Sequence, residues 1–271
     1  MQGWKATLAL GYDVRHHRTQ LVHRRHSGPL AVQKSLHPEG AVCHTVLLHP
    51  PGGIAGGDEL EIDMTVAPTA HVLVTTPGAT KWYRSAGTAA RQRTTLRLAE
   101  RGVLEHLPQE TLLFDGARGA SDVRVELARD SRYLGWDITA LGRPASDEPF
   151  KAGHLAQHCT ITRASQLLLC ERLVIEGGDP LLTSRLGLQG RRVVGTLIAA
   201  GVGLKRTWLE PLRATACNGA LCGLTLLPDV LVARYLGDTT EAARRWFETL
   251  WATLRPLWLD LPACPPRIWS T

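Results

Sequence analysis

Between His49 and Asp58 the chain reads His-Pro-Pro-Gly-Gly-Ile-Ala-Gly-Gly-Asp. Two prolines fix φ while four glycines admit conformations closed to other residues, so the segment is a shaped loop and neither a helix nor a simple hairpin turn. It runs straight into Asp58-Glu-Leu-Glu-Ile-Asp-Met-Thr-Val66, where Glu59, Glu61 and Asp63 alternate with Leu60, Ile62 and Met64. A period of two predicts a strand with one carboxylate face and one apolar face.

Runs of the same kind, separated by Gly, Pro or Asp clusters, recur along the chain. Strands are predicted over Ala6–Leu10, Leu30–Ser35, Val42–Leu48, Leu60–Val66, His71–Thr76, Thr94–Ala99 and Val123–Leu127. Further strands are predicted over Tyr133–Thr139, His158–Thr162, Leu167–Ile175, Val193–Ala199, Leu221–Leu227 and Leu231–Tyr235. So many strands and so few helical windows imply a mainly β body. No fixed repeat length is visible in the residues, so internal similarity points to neither a propeller nor a regular solenoid.

One helix is clear. Asp238 and Glu241 have capping-box spacing, and Ala243, Trp246, Phe247, Leu250, Trp251 and Leu254 then recur at helical intervals until Pro256. The aromatic stripe packs the helix onto a sheet or offers Trp246, Arg245 and Trp251 to a partner. The tail Cys264-Pro-Pro-Arg-Ile-Trp-Ser-Thr271 is extended, because its prolines lack amide donors, and Trp269 is either tucked against the body or presented to another subunit.

At 271 residues the chain buries roughly three quarters of its unfolded surface as one domain, residues 1–271, without needing a disulfide or metal staple. There are 31 Lys and Arg against 25 Asp and Glu, a formal net charge of +6, and the bias is strongest before His37. There Lys5, Arg15, Arg18, Arg24, Arg25 and Lys34 face one acid, Asp13. Only Trp4 and Tyr12 could stack on bases in that stretch, so it is read as a solvated or protein-facing surface and not as a nucleic-acid site. Six cysteines without C-x-x-C spacing are read as reduced thiols of a cytoplasmic protein. No run approaches the roughly 20 apolar residues of a membrane span.

The motifs of common enzymes are absent. Nothing matches a P-loop, a dinucleotide-binding G-x-G-x-x-G, a G-x-S-x-G elbow or H-E-x-x-H. Histidines cluster at His16, His17, His23 and His26, and again at Cys43, His44 and His49, without the spacing of a tight metal site. In a strand Cys43 and His44 point to opposite faces and cannot chelate together. The stripe Glu59, Glu61, Asp63 attracts a divalent cation or is an ordinary solvated face. Two later segments also combine bends with functional residue types. Thr75–Ser85 sets Lys81, Trp82, Tyr83 and Arg84 side by side, and Glu105–Ala117 places Glu105, Glu110 and Asp115 around a proline-interrupted apolar run.

Three segments, His49–Asp58, Thr75–Ser85 and Leu107–Ala117, stand in order with Gly135-Trp-Asp-Ile-Thr-Ala-Leu-Gly-Arg-Pro144 and Pro265–Thr271. Together they resemble the signature stretches of the urease accessory protein UreD family, also called UreH, over nearly the whole chain. The chain departs from that pattern at His106, where an aromatic residue is expected, and at Ser146-Asp147-Glu148. The resemblance implies an elongated, β-helix-like or two-layer sheet body with a small C-terminal helical portion. It also implies a non-catalytic scaffold that binds the urease structural subunits and UreF, and UreG through UreF, with dimerisation in the complex among the arrangements it allows. No cofactor would be tightly bound, and Ni2+ would pass transiently through an interior route.

On that footing Glu59, Glu61, Asp63, Glu105 and Glu110 are the candidate residues of the nickel passage. Trp246, Arg245, Trp251 and Trp269 are the candidates for partner binding. The readings that compete are a β-rich hydrolase using Glu110, Asp115 and a histidine, and a module binding an acidic polymer through the basic first 37 residues.

Overall fold

The computed structural model describes residues 3–270. Its strands run β1 Lys5–Arg15, β2 Arg18–Ser27, β3 Ala31–Val32, β4 Cys43–Leu48, β5 Gly53–Ile54, β6 Glu59–Val66, β7 His71–Thr75, β8 Thr80–Trp82 and β9 Ala90–Leu98. They continue as β10 Val103–His106, β11 Thr111–Leu113, β12 Arg118–Leu127, β13 Arg132–Leu141, β14 His154–Arg163, β15 Gln166–Glu176, β16 Val193–Gly201, β17 Leu221–Leu227 and β18 Val230–Gly237. Two α-helices, α1 Leu209–Arg213 and α2 Thr240–Leu254, lie in the C-terminal third.

The strands wind as a solenoid. One wall has the order β15-β14-β12-β9-β6-β1-β2, and the other has β17-β18-β16-β13-β10-β7-β4-β3. The short strands β5, β8 and β11 pair in parallel along a third side. Each coil takes one strand from each side, as in β4-β5-β6 and then β7-β8-β9. Successive coils align in parallel, with Cys43 opposite Val72, His71 opposite Val103 and Val103 opposite Arg132. Those registers set a coil of roughly 30 residues. The repeat is invisible in the residues because it resides in backbone register while loop lengths and side chains differ from coil to coil. The His49–Asp58 loop is the corner of the first coil, and Gly52 and Gly57 take positive φ there.

The alternation predicted for Asp58–Val66 is present in β6: Leu60, Ile62, Met64 and Val66 are buried while Glu59, Glu61 and Asp63 face out. With Leu96, Leu98, Val125 and Leu127 from the same wall, and Val72, Val74 and Leu104 from the other, they form the solenoid core. A second core lies outside the β13–β18 wall. There Ala243, Trp246, Phe247, Leu250, Trp251 and Leu254 of α2 pack on Leu134, Trp136, Ile138 and Leu197.

Two details of this helix differ from the sequence expectation. The N-cap is Thr239, whose hydroxyl accepts from Ala242 N at 3.3 Å, because Asp238 is drawn into an ion pair with Arg191. Pro256 does not stop the chain turning, since it has no amide to lose in the first turn of a π-helical stretch, Arg255–Leu259, that ends at left-handed Asp260.

The strand β2 was not expected, because its residues are basic and polar. It pairs antiparallel with β1 around a turn in which His16 and His17 both take positive φ, the geometry of a tight hairpin. Conversely, the strand expected over Leu30–Ser35 shrinks to Ala31–Val32. Cys217 and Cys222 are joined as a disulfide where all six cysteines were expected reduced. The turn entering β17 brings their Cα atoms to 6.3 Å, within disulfide reach.

The helix α2 is fastened to the solenoid by buried charge. Arg255 is fully buried and donates to both oxygens of Glu105 at 3.1–3.2 Å and to both oxygens of Glu39 at 2.7 Å. Glu105 also accepts from Trp251 Nε1 at 2.5 Å and meets His71 Nε2 at 2.7 Å. Burial alone would raise the pKa of both carboxyls. The His71 and Arg255 contacts instead hold Glu105 below its usual range, and His44 and Arg255 hold Glu39 down to about 2.

Candidate functional site: a polar lumen

The space between the walls is not uniformly apolar. Where β9, β12, β13 and β14 face one another the inward positions are Gln92, Ser121, Asp137 and Gln157, and a cavity of about 270 Å³ opens among them. Strand alternation places these side chains inside: Asp137 lies between outward Trp136 and Ile138, both of which belong to the α2 core. A close-packed solenoid would fill these positions with branched apolar residues. Here small and polar ones leave room.

Asp137 is the acidic side chain of this lumen that has no cationic partner. Its Oδ1 accepts from Thr139 Oγ1 at 2.9 Å and from Gln157 Nε2 at 3.1 Å. The side chain is exposed to the open cavity between the walls. Desolvation by the surrounding protein raises its pKa, against the two hydrogen bonds. The neighbouring Cys159 thiol is pushed up to about 12, first by burial and then by the Asp137 charge. The other lumenal acid, Glu171, is neutralised by Arg234 at 2.5 Å, and both side chains reach solvent.

His106 also lines the cavity, and burial lowers its pKa to about 4. A base that resists protonation in the folded state makes the fold acid-sensitive. The contribution is complete above the unfolded value near 6.5 and is lost as pH falls from there towards 4, by on the order of 2–3 kcal/mol. His106→Phe should therefore flatten the dependence of melting temperature on pH across that window. An unchanged slope in scanning calorimetry would show that His106 is protonated without cost.

The structure separates the five carboxylates considered from the sequence. Glu59, Glu61 and Asp63 lie on the outer face of the wall, paired across strands with Lys5 at 3.4 Å, Arg93 at 3.1 Å and Arg97 at 3.2 Å. Glu105 points away from the lumen into the Arg255 cluster, and Glu110 is half-buried just before β11. Among the partner candidates, Trp246 and Trp251 are buried under α2, and Trp269 is half-buried, donating to Thr75 Oγ1 at 2.8 Å and lying 5.6 Å from the Trp136 ring. The tail is thus tucked against the body. Arg245 alone of the four is exposed, beside Glu241. Asp137 was missed because a single acid in the apolar run Tyr133–Leu141 carries no spacing signal; strand parity would have placed it inside.

Comparison with known proteins gives the family. The family described as "UreD urease accessory protein" matches residues 5–270. The chain belongs to the UreD family. It is 48% identical to the urease accessory protein UreD of Dechloromonas aromatica, over 99% of this chain and 95% of that protein. It is also 48% identical to the UreD of Nitrosococcus oceani, over 99% and 90%, and 47% identical to that of Pseudomonas aeruginosa, over 99% and 95%. Membership in the UreD family places the chain in urease maturation. Among the described residues no helix is long and apolar enough to cross a membrane.

Proposed function

We propose that the protein is a non-catalytic scaffold that binds apo-urease and UreF, and UreG through UreF, and that Ni2+ reaches urease through its lumen. The observation carrying the second part is Asp137, an acid without a cationic partner that faces the cavity between the walls. A cation crossing the cavity gives up part of its hydration, which carboxylate, amide and hydroxyl oxygens offset along the route. The Glu59, Glu61 and Asp63 stripe lies on the outer face instead, and each member already has a basic neighbour.

Co-expression with the urease subunits and UreF tests the scaffold. The expected result is a co-purifying complex, together with nickel-poor urease when this protein is deleted. No complex and fully loaded urease would end the reading. Amides at Glu59, Glu61 and Asp63 together separate the two routes: unchanged nickel content supports the lumen, and a loss supports the outer face.

A further inference from the structure

On the far side of the β4 wall from the lumen, three unlike ligands converge. Strand parity sends Cys43 inward, near Thr45, and His44 outward, where its Nε2 lies 2.6 Å from Glu39 Oε1. Cys264, from the C-terminal tail, completes the group: one donor atom from each of Glu39, His44 and Cys264 lies within 4.8 Å of the others. We propose that these three residues form a binding site for a divalent transition-metal ion of the Ni2+ or Zn2+ class, distinct from the lumen.

Three observations carry the assignment. The ligand set is carboxylate, imidazole and thiolate, which suits borderline divalent metals and is poor for Mg2+ or Ca2+. Metal–ligand bonds of about 2.0–2.3 Å require only a modest opening of the present His44–Glu39 contact. The charge count also favours occupancy. Two carboxylates, the fully buried Glu105 and the largely covered Glu39, face one guanidinium, that of Arg255, so acids outnumber permanently charged cations there. A divalent ion that binds as Cys264 releases its thiol proton to solvent adds one net positive charge to the cluster.

Arg255 does not bar the ion. It holds Glu105 through Nε and Nη2 and both oxygens of Glu39 through Nη1 and Nη2, so the ion takes the place of His44 at Glu39 Oε1, whose second lone pair stays with Arg255. The site has a way in, since Cys264 is only half-buried, on a tail segment flanked by exposed prolines. Binding there ties the tail to the Glu39 loop.

The test is titration of the purified full-length protein with Ni2+ alone, followed by calorimetry and by thiolate-to-metal charge-transfer absorption in the near ultraviolet. We expect one site with a thiolate band. Cys264→Ser should abolish that band, and Cys264→Ser and His44→Gln should each weaken binding at least about tenfold. Cys170→Ser, at an exposed thiol on β15, should leave both readouts unchanged. Cys264→Ser is small enough to leave the fold intact, which circular dichroism checks. A wild-type protein without the band, or a Cys264→Ser isotherm identical to wild type, overturns the site. Neither result touches the maturation reading, which is judged separately from the nickel content of urease.

Discussion

Replacing Arg255 by leucine should destabilise the protein by about 3–5 kcal/mol, because it leaves the fully buried Glu105 and the largely covered Glu39 without their cation. For a chain of this size that corresponds to a fall in melting temperature of roughly 10 °C. The loss is large because Glu105 has no route to solvent and its remaining partners, Trp251 and His71, supply one neutral and one titratable donor. Glu105→Gln in the Arg255→Leu background should recover part of the loss, since a neutral amide is far cheaper to bury than an unpaired charge. Thermal unfolding by circular dichroism decides the matter. A variant melting within about 2 °C of wild type would mean that water reaches the cluster and screens it.

The second large effect concerns cargo. Asp137→Leu is expected to lower the nickel content of co-expressed urease at least about tenfold while leaving the complex with its partners intact. The substitution removes the unpaired lumenal acid and places an apolar branch in the cavity, so both charge and space are lost. Asp137→Asn keeps the space and should fall between leucine and wild type. Stability should not suffer in either variant, because the group removed is one whose ionisation burial already opposes. Metal analysis of purified urease, with pull-down as the control for assembly, gives the answer. Full nickel content in Asp137→Leu would exclude the lumen as the route.

The solenoid was partly legible in the residues. Leu60, Ile62 and Met64 against Glu59, Glu61 and Asp63 declared one wall strand and its inner face, because a half-buried strand alternates. The hairpin partner β2 was not legible. Arg18–Ser27 is a wall-edge strand, and an edge strand that is mostly exposed has no reason to alternate. The aromatic stripe of α2 was visible, but whether it met a sheet or another protein depended on the β13 and β16 faces, which only the assembled walls define.

The functional residues followed the same rule. Clusters close in sequence, such as Cys43, His44 and His49, are pulled apart by strand parity. The groups that meet do so across the fold: Glu39 and Glu105 with Arg255, and Glu39 and His44 with Cys264. Pairs this far apart leave no trace in spacing. Asp137 is a different case, since one acid among apolar residues announces only that something inside must answer its charge.

The Arg255 clamp also orders events during synthesis. Glu39 and Glu105 leave the ribosome long before their guanidinium, so the half-made solenoid carries naked charge on the wall that α2 will cover. A coils-only fragment ending before α2 would expose that charge together with the apolar Leu134, Trp136 and Ile138 face. Such a fragment is a candidate for chaperone capture and self-association, and a poor substitute for the intact protein in binding experiments.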